Sequence, residues 1–255
     1  ILRLHFITSE IIFGFEISDI VVNGGVISEL KGGEMSYSAI FIPSEPGKKD
    51  FELAAGSFVD VAGNTNDFIS FSSTYVPSIG SEYGGGLIAY LFTPHDSGYV
   101  EGEVHGLIAA KTDQSTLSGA PWYNGSFIKT GATGVEIGKG RRNTELIVLK
   151  QGKIVNEKIY AARLCSDYSV MEDNVLYDDW FLPSKDELNK LFLNKELIGN
   201  FEGDGYWSST EEDREGAWRQ SFYNGYQNYG NKRSEGIEGP ESGYYGRHVR
   251  AVRTF

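Results

Sequence analysis

The sequence predicts an all-β sandwich over residues 1–76, followed by an α+β domain over residues 79–255. Short runs of alternating apolar and polar residues, separated by turn residues about every 8–12 positions, predict the sandwich. A Pro/Gly/Ser-rich stretch at residues 75–80 ends that pattern and predicts a linker. Beyond it, three segments with helical spacing lie between two groups of strand-like runs, which is typical of an α+β domain.

The strands of the first domain are predicted from short runs of β-branched and aromatic residues. They cover residues 1–6, 15–22, 37–42, 50–54 and 68–71. Asn23, Gly24 and Gly25 predict a tight turn after the second run, and a Pro/Gly break lies at residues 43–47.

Several motifs in this segment carry a family resemblance. They lie at residues 9–10, 14–20, 23–25, 37–43 and 55–66. Together they resemble the bacterial immunoglobulin-like repeats of large surface adhesins. The resemblance implies a spacer domain. The first strand of such repeats is shortened here, so we expect the domain to be truncated at its N-terminus.

Oxygen-bearing side chains cluster late in this domain, at Asp60, Asn64, Asn66 and Asp67. Carboxylate and amide oxygens are ligands that Ca²⁺ accepts. The same residue types are also typical of polar turns, because Asp and Asn side chains bond nearby backbone groups. The sequence leaves both interpretations open.

The second domain combines strands with three helices. Its first strands are predicted at residues 84–92 and 106–110, and its helices at residues 143–150, 156–165 and 183–192. Asn143 or Thr144 is the expected cap of the first helix. Ser184 and Glu187 form a capping box at the start of the third helix. Short strands with long polar loops return after residue 200.

Charge is distributed unevenly along the chain. The formal net charge is −12, yet in residues 205–255 seven Lys and Arg balance seven Asp and Glu, so the acidic excess lies in residues 1–204. Because a surface with this much negative charge repels phosphate backbones, we expect no nucleic-acid partner. The single cysteine, Cys165, excludes an intrachain disulfide. No run of 18 apolar residues occurs, so we expect no membrane insertion.

Residues 205–255 are rich in side chains that serve in recognition. They contain six of the 15 Tyr, two of the 4 Trp, and six Arg. Aromatic side chains supply contact area, Arg supplies bidentate hydrogen bonds, and small polar residues adapt to a partner. This composition predicts a binding surface near the C-terminus.

The second domain also carries a family resemblance. Its motifs lie at residues 84–86, 106–110, 138–140, 161–165, 178–188, 206–211, 217–218 and 249–253. In this order they resemble the C-type-lectin-like domains of bacterial surface proteins, including the variable proteins of diversity-generating retroelements. In that family the C-terminal strands and loops display the ligand-binding face, and the motif residues build the scaffold.

The resemblance implies roles for individual residues. The expected core residues are Trp180, Leu182, Trp207, Trp218, Phe222, Val249 and Val252. Arg250 and Arg253 alternate with apolar residues near the C-terminus, and we expect them to form structural ion pairs.

The expected ligand-binding residues lie between these anchors. They are Asp213, Arg214, Glu215, Arg219, Ser221, Tyr223, Asn224, Tyr226, Asn228, Tyr229, Asn231, Arg233, Tyr244, Tyr245, Arg247 and His248. Residues 221–231 match the amino-acid set that adenine-directed mutagenesis yields in the retroelement proteins. The alternative, that these tyrosines are ordinary surface residues of a β-rich domain, stays open. Residues 234–243 resemble an insertion that short versions of the motif lack.

Catalytic interpretations have weaker support. The C-type-lectin-like fold also houses formylglycine-generating enzymes, which use a pair of cysteines, whereas this chain has only Cys165. The four histidines are scattered without the spacing of zinc ligands. Asp178 and Asp179 precede Trp180 and are expected to fix a turn rather than to act as paired catalytic carboxylates. Residues 138–142 lack the spacing of a phosphate-binding loop.

We therefore expect a non-enzymatic, surface-displayed receptor or adhesin on a cell or virion, in an extracellular setting. Its expected ligand is a protein on another cell or virion. A glycan-binding adhesin domain is the first alternative, and a formylglycine-generating-enzyme-like catalyst is the second. No cofactor is expected to be required, and no metal ligand is assigned. The Ca²⁺-dependent sugar-binding motif is not matched at residues 239–241, although a Ca²⁺ site stays open.

Overall fold

The computed structural model describes residues 1–116, 119–152, 159–201, 205–233 and 247–255. The chain divides into two compact units. The first comprises Ile1–Pro77 with Gly102–Val104, and the second comprises Ser78–Glu101 with His105–Phe255. Within the described residues, no helix combines the length and apolar character needed to cross a bilayer.

The first unit is built from antiparallel strands. They are β1 (Leu2–Ile7), β2 (Ile12–Phe13), β3 (Ile20–Val22), β4 (Gly25–Gly33), β5 (Ser36–Pro43), β6 (Gly47–Leu53), β7 (Val59–Asp60) and β8 (Ile69–Tyr75). One sheet has the order β1-β5-β4, another has the order β3-β6-β8, and β2 pairs with β7. Phe41 of β5 and Phe51 of β6 are both buried and meet edge to face with ring centroids 5.0 Å apart. The two three-stranded sheets therefore share an apolar interior, as in a β-sandwich.

Two local predictions for this unit were wrong. Residues 15–22 do not form one strand, because Ile17–Asp19 form a 3₁₀ turn and β3 begins only at Ile20. The carboxylate of Asp19 accepts a hydrogen bond from the Glu16 backbone N–H at 2.7 Å and closes that turn. The long strand β4 was missed, since it is glycine-rich and interrupted by a bulge between Ser28 and Lys31.

The oxygen-rich cluster of this unit forms a turn. The Asp60 carboxylate accepts hydrogen bonds from the backbone N–H and the side-chain amide of Asn64, each at 2.8 Å. The Asn66 amide donates to the Ala54 carbonyl at 2.7 Å and accepts from the Phe58 N–H at 3.1 Å. The Asp60 and Asn66 side chains therefore stabilise the turn through these hydrogen bonds. This favours a polar turn over a Ca²⁺ site.

The second unit mixes strands and helices. Its strands are β9 (Glu82–Tyr83), β10 (Gly86–Leu91), β11 (Gly106–Ala109), β12 (Val170–Glu172), β13 (Val175–Tyr177), β14 (Gly205–Glu211), β15 (Gly216–Ser221), β16 (Gln227–Asn231) and β17 (Val252–Thr254). Its helices are α1 (Gly140–Gln151), α2 (Ala161–Ser166), α3 (Lys185–Leu193) and α4 (Lys195–Ile198). The sheets have the orders β17-β11-β10-β9, β14-β15-β16 and β12-β13.

The helix boundaries correct two predictions. Helix α1 begins at Gly140, so Asn143 lies inside the helix and is not its cap. The Asn143 side chain is buried; it accepts a hydrogen bond from the Gly134 N–H and donates one to the Gly134 carbonyl. Thr144 is likewise internal and accepts from the Leu182 N–H at 3.0 Å. Helix α2 covers only Ala161–Ser166, and of the longer helix predicted there residues 156–158 lie outside the described residues.

The third predicted helix is confirmed. The Ser184 hydroxyl accepts from the Glu187 N–H at 3.3 Å, and the Glu187 carboxylate accepts from the Ser184 N–H at 2.7 Å. Leu188 and Leu191 face the interior and are fully buried. The capping box and the apolar stripe are local features, which explains why the sequence alone predicts this helix well.

Most of the expected core is buried. Trp180, Leu182, Trp207, Phe222, Val249 and Val252 are all at most 4% exposed. Trp218 contradicts the prediction, since its side chain is only partly buried. The expected ion pairs are present: Arg250 Nε lies 2.7 Å from the Asp113 carboxylate, and Arg253 Nε lies 2.6 Å from that of Asp179.

Candidate functional site

The hairpin β15–β16 carries half of the predicted ligand-binding residues, but it does not hold them on one face. Trp218 pairs with Tyr229, and the next pair along the strands is Arg219 with Asn228. Cross-strand partners share a face of a sheet, and successive residues alternate between faces. The predicted contact residues therefore divide between an aromatic side and an arginine side.

The aromatic side is centred on Trp218, a residue that was predicted to be core. Its ring meets that of Tyr229 edge to face with centroids 6.0 Å apart, and its Nε1 donates to the Glu212 carboxylate at 2.6 Å. Lys185 Nζ lies 3.9 Å from the centroid of the same ring, which is cation–π distance. Neither Lys185 nor Glu212 was predicted at a site, because the sequence does not reveal which sheet face helix α3 covers.

The opposite side contains a cavity of about 280 Å³, which we call the arginine pocket. Its polar lining consists of Arg219, Ser221, Asn224, Tyr226, Asn228 and Arg247. All six were predicted as ligand-binding residues, so the structure brings this subset together.

Arg247 is held in place within the arginine pocket. Its guanidinium lies 4.4 Å from the centroid of the buried Trp207 ring, and its Nη1 donates to the Asn231 carbonyl at 3.2 Å. Burial, and next the nearby positive charge of Arg219, lower the pKa of Arg247 to about 10. The group therefore stays protonated at neutral pH, as a desolvated cation beside a second one.

The turn between β15 and β16 displays two tyrosines. The Ser221 carbonyl accepts from the Gly225 N–H at 2.8 Å, and the Ser221 N–H donates to the Tyr226 carbonyl at 2.9 Å. Gly225 has φ +80°, and a Cβ there would lie 2.5 Å from the Phe192 ring, so the turn requires glycine. The fixed turn leaves Tyr223 85% and Tyr226 65% exposed.

The turn at the other end of β15 holds Asp213, Arg214 and Glu215, which are exposed. Six residues of strand place it roughly 20 Å from the Ser221–Tyr226 turn. The Asp213 carboxylate accepts from the N–H groups of Glu215 at 2.8 Å and Gly216 at 2.6 Å, and these bonds lower its pKa. Asp213 is therefore a turn-forming residue, and the three residues do not join the arginine pocket.

His248 was wrongly predicted as a ligand-binding residue. It is 1% exposed, and its Nδ1 lies 3.3 Å from the Asp113 carboxylate. Its backbone runs beside β14, donating to the Gly205 carbonyl at 2.7 Å and accepting from the Trp207 N–H at 3.0 Å, which turns the side chain inward. Although burial raises the pKa of Asp113, the hydrogen bond from His248 and the charge of Arg250 bring it below its usual value.

The remaining predicted contact residues are at the end of β16 or beyond it. Asn231 and Arg233 are exposed, and the Asn231 side chain accepts from the Arg233 N–H at 2.9 Å. Tyr244 and Tyr245 lie outside the described residues, as does the insertion-like segment 234–243.

The groups weighed for catalysis are either buried in the core or held by structural partners. Cys165 is fully buried, and burial raises the pKa of its thiol. Asp179 is shared between Arg253 at 2.6 Å and Arg141 at 3.0 Å. The loop before α1 is occupied by Glu187, whose carboxylate accepts from the Gly138 N–H at 2.8 Å. Over the residues that the structure describes, no group of three or more His, Cys, Asp and Glu side chains is arranged to hold a metal ion.

Comparison with known families supports the first unit. Residues 2–77 match a family model described as a bacterial Ig-like domain. The match and the paired antiparallel sheets confirm the expectation of an immunoglobulin-like sandwich for this part of the chain. No curated protein matches the chain.

Proposed function

We propose that this chain is part of an extracellular, surface-displayed receptor or adhesin that binds a protein ligand and catalyses no reaction. The immunoglobulin-like unit serves as a spacer, and the second unit is a C-type-lectin-like ligand-binding module. The order of its sequence motifs and its mixture of short strands with helices support this fold. The proposed ligand is carried by another cell or virion.

The observation that carries the proposal is the display of three tyrosines on one hydrogen-bonded hairpin, β15–β16. Tyr223, Tyr226 and Tyr229 are 85%, 65% and 58% exposed. Phe222, which precedes Tyr223, is 4% exposed and belongs to the core. Large exposed aromatic side chains on a fixed backbone are typical of recognition surfaces, because they bury much area at small entropic cost.

Binding by the full chain tests this function. We expect immobilised protein to capture a cell- or virion-surface protein that can then be purified and titrated. The triple variant Tyr223→Ala/Tyr226→Ala/Tyr229→Ala should weaken that interaction at least ~100-fold, since hot-spot aromatics contribute about 2 kcal/mol or more each. Phe68→Ala, which removes a 58% exposed aromatic from the first unit, is the matched control.

The alternatives give different results in parallel measurements. Binding on a glycan array that depends on the three tyrosines, with no protein ligand, would replace the protein-binding proposal with the glycan-binding one. Loss of binding in chelator would add a Ca²⁺ requirement. Turnover of a cysteine-containing peptide to formylglycine would overturn the non-enzymatic assignment.

We further propose that the hairpin belongs to a diversified segment. Residues 221–231 contain mainly Tyr, Asn, Ser and Gly. These residue types support the proposal, because adenine-directed mutagenesis yields them in the retroelement proteins. The test is the genome around the coding sequence. A near-copy of the segment encoding residues 218–253, differing only at adenines, is expected, and its absence would refute diversification without touching the binding proposal.

A further inference from the structure

Strand β8 is an exposed edge of the first unit. It ends the sheet order β3-β6-β8, and residues 69–74 of the strand are all exposed. Edge strands usually carry charged residues, proline or a bulge, which oppose pairing with another chain. Residues 69–75 contain no charged residue and no proline, and their pairing with β6 runs without a register shift. The strand is therefore a regular, uncharged template for a further strand.

The other edges of the two three-stranded sheets carry such protection. Strand β1 contains Arg3 and His5, and strand β4 has a bulge between Ser28 and Lys31. Strand β3 has only three residues. Because β8 has neither charge nor bulge and is seven residues long, its edge is open to pairing in a way that the other edges are not.

The inner face of β8 extends the apolar interior beyond its cover. Phe71 lies opposite Phe51 of β6, and their rings stack with centroids 4.7 Å apart. Phe51 is 1% exposed, whereas Phe71 is 45% exposed. Ile69 is also 45% exposed, although its partner Leu53 is buried. A strand added along β8 would cover these two apolar side chains, which stabilises the pairing in addition to the backbone hydrogen bonds.

We infer that two copies of this chain pair through β8 as an antiparallel, two-fold symmetric dimer centred on Ser72. Ser72 is the midpoint of Ile69–Tyr75, so this register pairs all seven residues of the strand. Ser70 then lies opposite Thr74 of the second copy, and Ser72 lies opposite its own equivalent. Directly opposed residues share a face of the sheet, so hydroxyl groups meet on the outer face.

The residues of the inner face are also self-complementary in this register. Ile69 lies opposite Tyr75 of the second copy, and the two Phe71 rings lie diagonally across the seam, within reach of each other. The protein has a net charge of −12, which opposes association of two copies through charged surfaces. An uncharged edge avoids that repulsion where the two copies meet, and this favours a second copy as the partner of β8.

The size of the edge sets the strength of the dimer. Seven residues of strand span about 24 Å, and pairing along one edge buries less than the ~1,600 Å² of a standard interface. The dimer is therefore weak and reversible. It carries two copies of the second unit, and two binding units in one assembly raise avidity for ligands that lie close together.

Sedimentation velocity of the full chain between about 10 and 500 µM tests the inference, since small interfaces associate weakly. We expect a reversible equilibrium between monomer and dimer, without larger species. Hydrogen exchange followed by mass spectrometry should show slower exchange of the β8 amides at the higher concentration. The reason is that alternate backbone N–H groups of an edge strand point away from its neighbour and are bonded only in the dimer.

Two double variants at the same positions test the register. Ser70→Lys/Thr74→Lys places like charges opposite each other at two points and should raise the dissociation constant of the dimer at least ~10-fold. Ser70→Lys/Thr74→Glu places opposite charges at the same points and should return the constant to within ~3-fold of the wild-type value. Residues 70 and 74 face Glu52 and Lys48 of β6 within one chain, so urea unfolding checks that both variants fold. If the first variant does not fold, the concentration dependence of exchange in the wild type keeps the inference testable.

Several results would overturn the inference. They are a monomer at every concentration, a dimer that both double variants leave unchanged, larger species that grow with concentration, and no recovery of association in Ser70→Lys/Thr74→Glu. Slow exchange of the β8 amides at every concentration would show that one chain already covers the edge, and would overturn it too. None of these measurements uses a protein ligand, so the dimer and the proposed function are tested separately.

Discussion

The Glu211 carboxylate accepts a hydrogen bond from Lys232 Nζ at 2.6 Å in a site where neither side chain has exposed surface. Glu211 ends β14, and Lys232 directly follows β16. Lys232 Nζ also donates to the Asp213 carbonyl at 2.7 Å, and Glu211 accepts from the Thr130 N–H at 2.8 Å. The pair thus ties β14 and β16, the outer strands of the three-stranded sheet, to the turn between β14 and β15 and to the loop that contains Thr130.

Breaking this pair should destabilise the second unit strongly. Lys232→Met leaves the Glu211 carboxylate buried without its cation, and we expect a loss of about 3–5 kcal/mol in the free energy of unfolding. Urea unfolding at neutral pH measures it. In a double-mutant cycle, Glu211→Gln/Lys232→Met should lose less than the sum of the single variants. Additive losses would mean that the two side chains do not interact.

Arg250 should not tolerate replacement by lysine. Its Nε bonds Asp113 at 2.7 Å, its Nη1 bonds the Ala110 carbonyl at 3.1 Å, and its guanidinium lies 4.1 Å from the centroid of the Phe201 ring. An ammonium cannot reproduce the planar fork or the stacking. Arg250→Lys should lose about 2 kcal/mol or more in urea unfolding. The exposed Arg142→Lys should stay within about 0.5 kcal/mol, and equal effects would contradict this account.

Local sequence signals predicted part of this fold. The capping box of α3 lies within four residues, so its effect does not depend on distant contacts. The start of α1 could not be predicted in this way. Just before α1, the Gly138 N–H donates to the carboxylate of Glu187, which lies 49 residues later in the sequence. Only the folded chain brings these two groups together.

The sequence proposes which residues form the candidate site, but not how they are arranged. Tyr223, Tyr226 and Arg247 were predicted as contact residues from their residue types and from the family resemblance. Which face each residue occupies depends on strand register and on the elements packed on either side, and one sequence does not specify these. For this reason Trp218 was wrongly assigned to the core and His248 wrongly assigned to the surface.

The adjacent residues Phe222 and Tyr223 should differ strongly in their effect on stability. Phe222 is 4% exposed, with its ring 4.3 Å from that of Tyr206 and 4.7 Å from that of Phe201. Phe222→Ala should therefore cost about 3–5 kcal/mol of unfolding free energy. Tyr223→Ala, at 85% exposure, should stay within about 0.5 kcal/mol. Thermal and urea unfolding of the two variants measure this contrast, which similar losses would contradict.

Glu187 should make stability depend on pH. Burial raises the pKa of its carboxyl to about 7 despite opposing hydrogen bonds from Ser184, Gly138 and Gly140. The folded state then holds this proton more tightly than the unfolded state, whose carboxyl has an ordinary value near 4.5. The stability that protonated Glu187 contributes to the folded state is therefore fully present below about pH 4.5. It is lost as the pH rises through about 7.

Urea unfolding between pH 5 and pH 8 measures this effect against Glu187→Gln, which cannot ionise. The wild type should lose roughly 2–3 kcal/mol more than the variant over that range. The variant should be less stable at pH 5, because its amide NH₂ faces backbone N–H donors that need an acceptor. The difference between the two pH slopes isolates Glu187 from other titrating groups, and parallel slopes would show that its carboxylate is already ionised at pH 5.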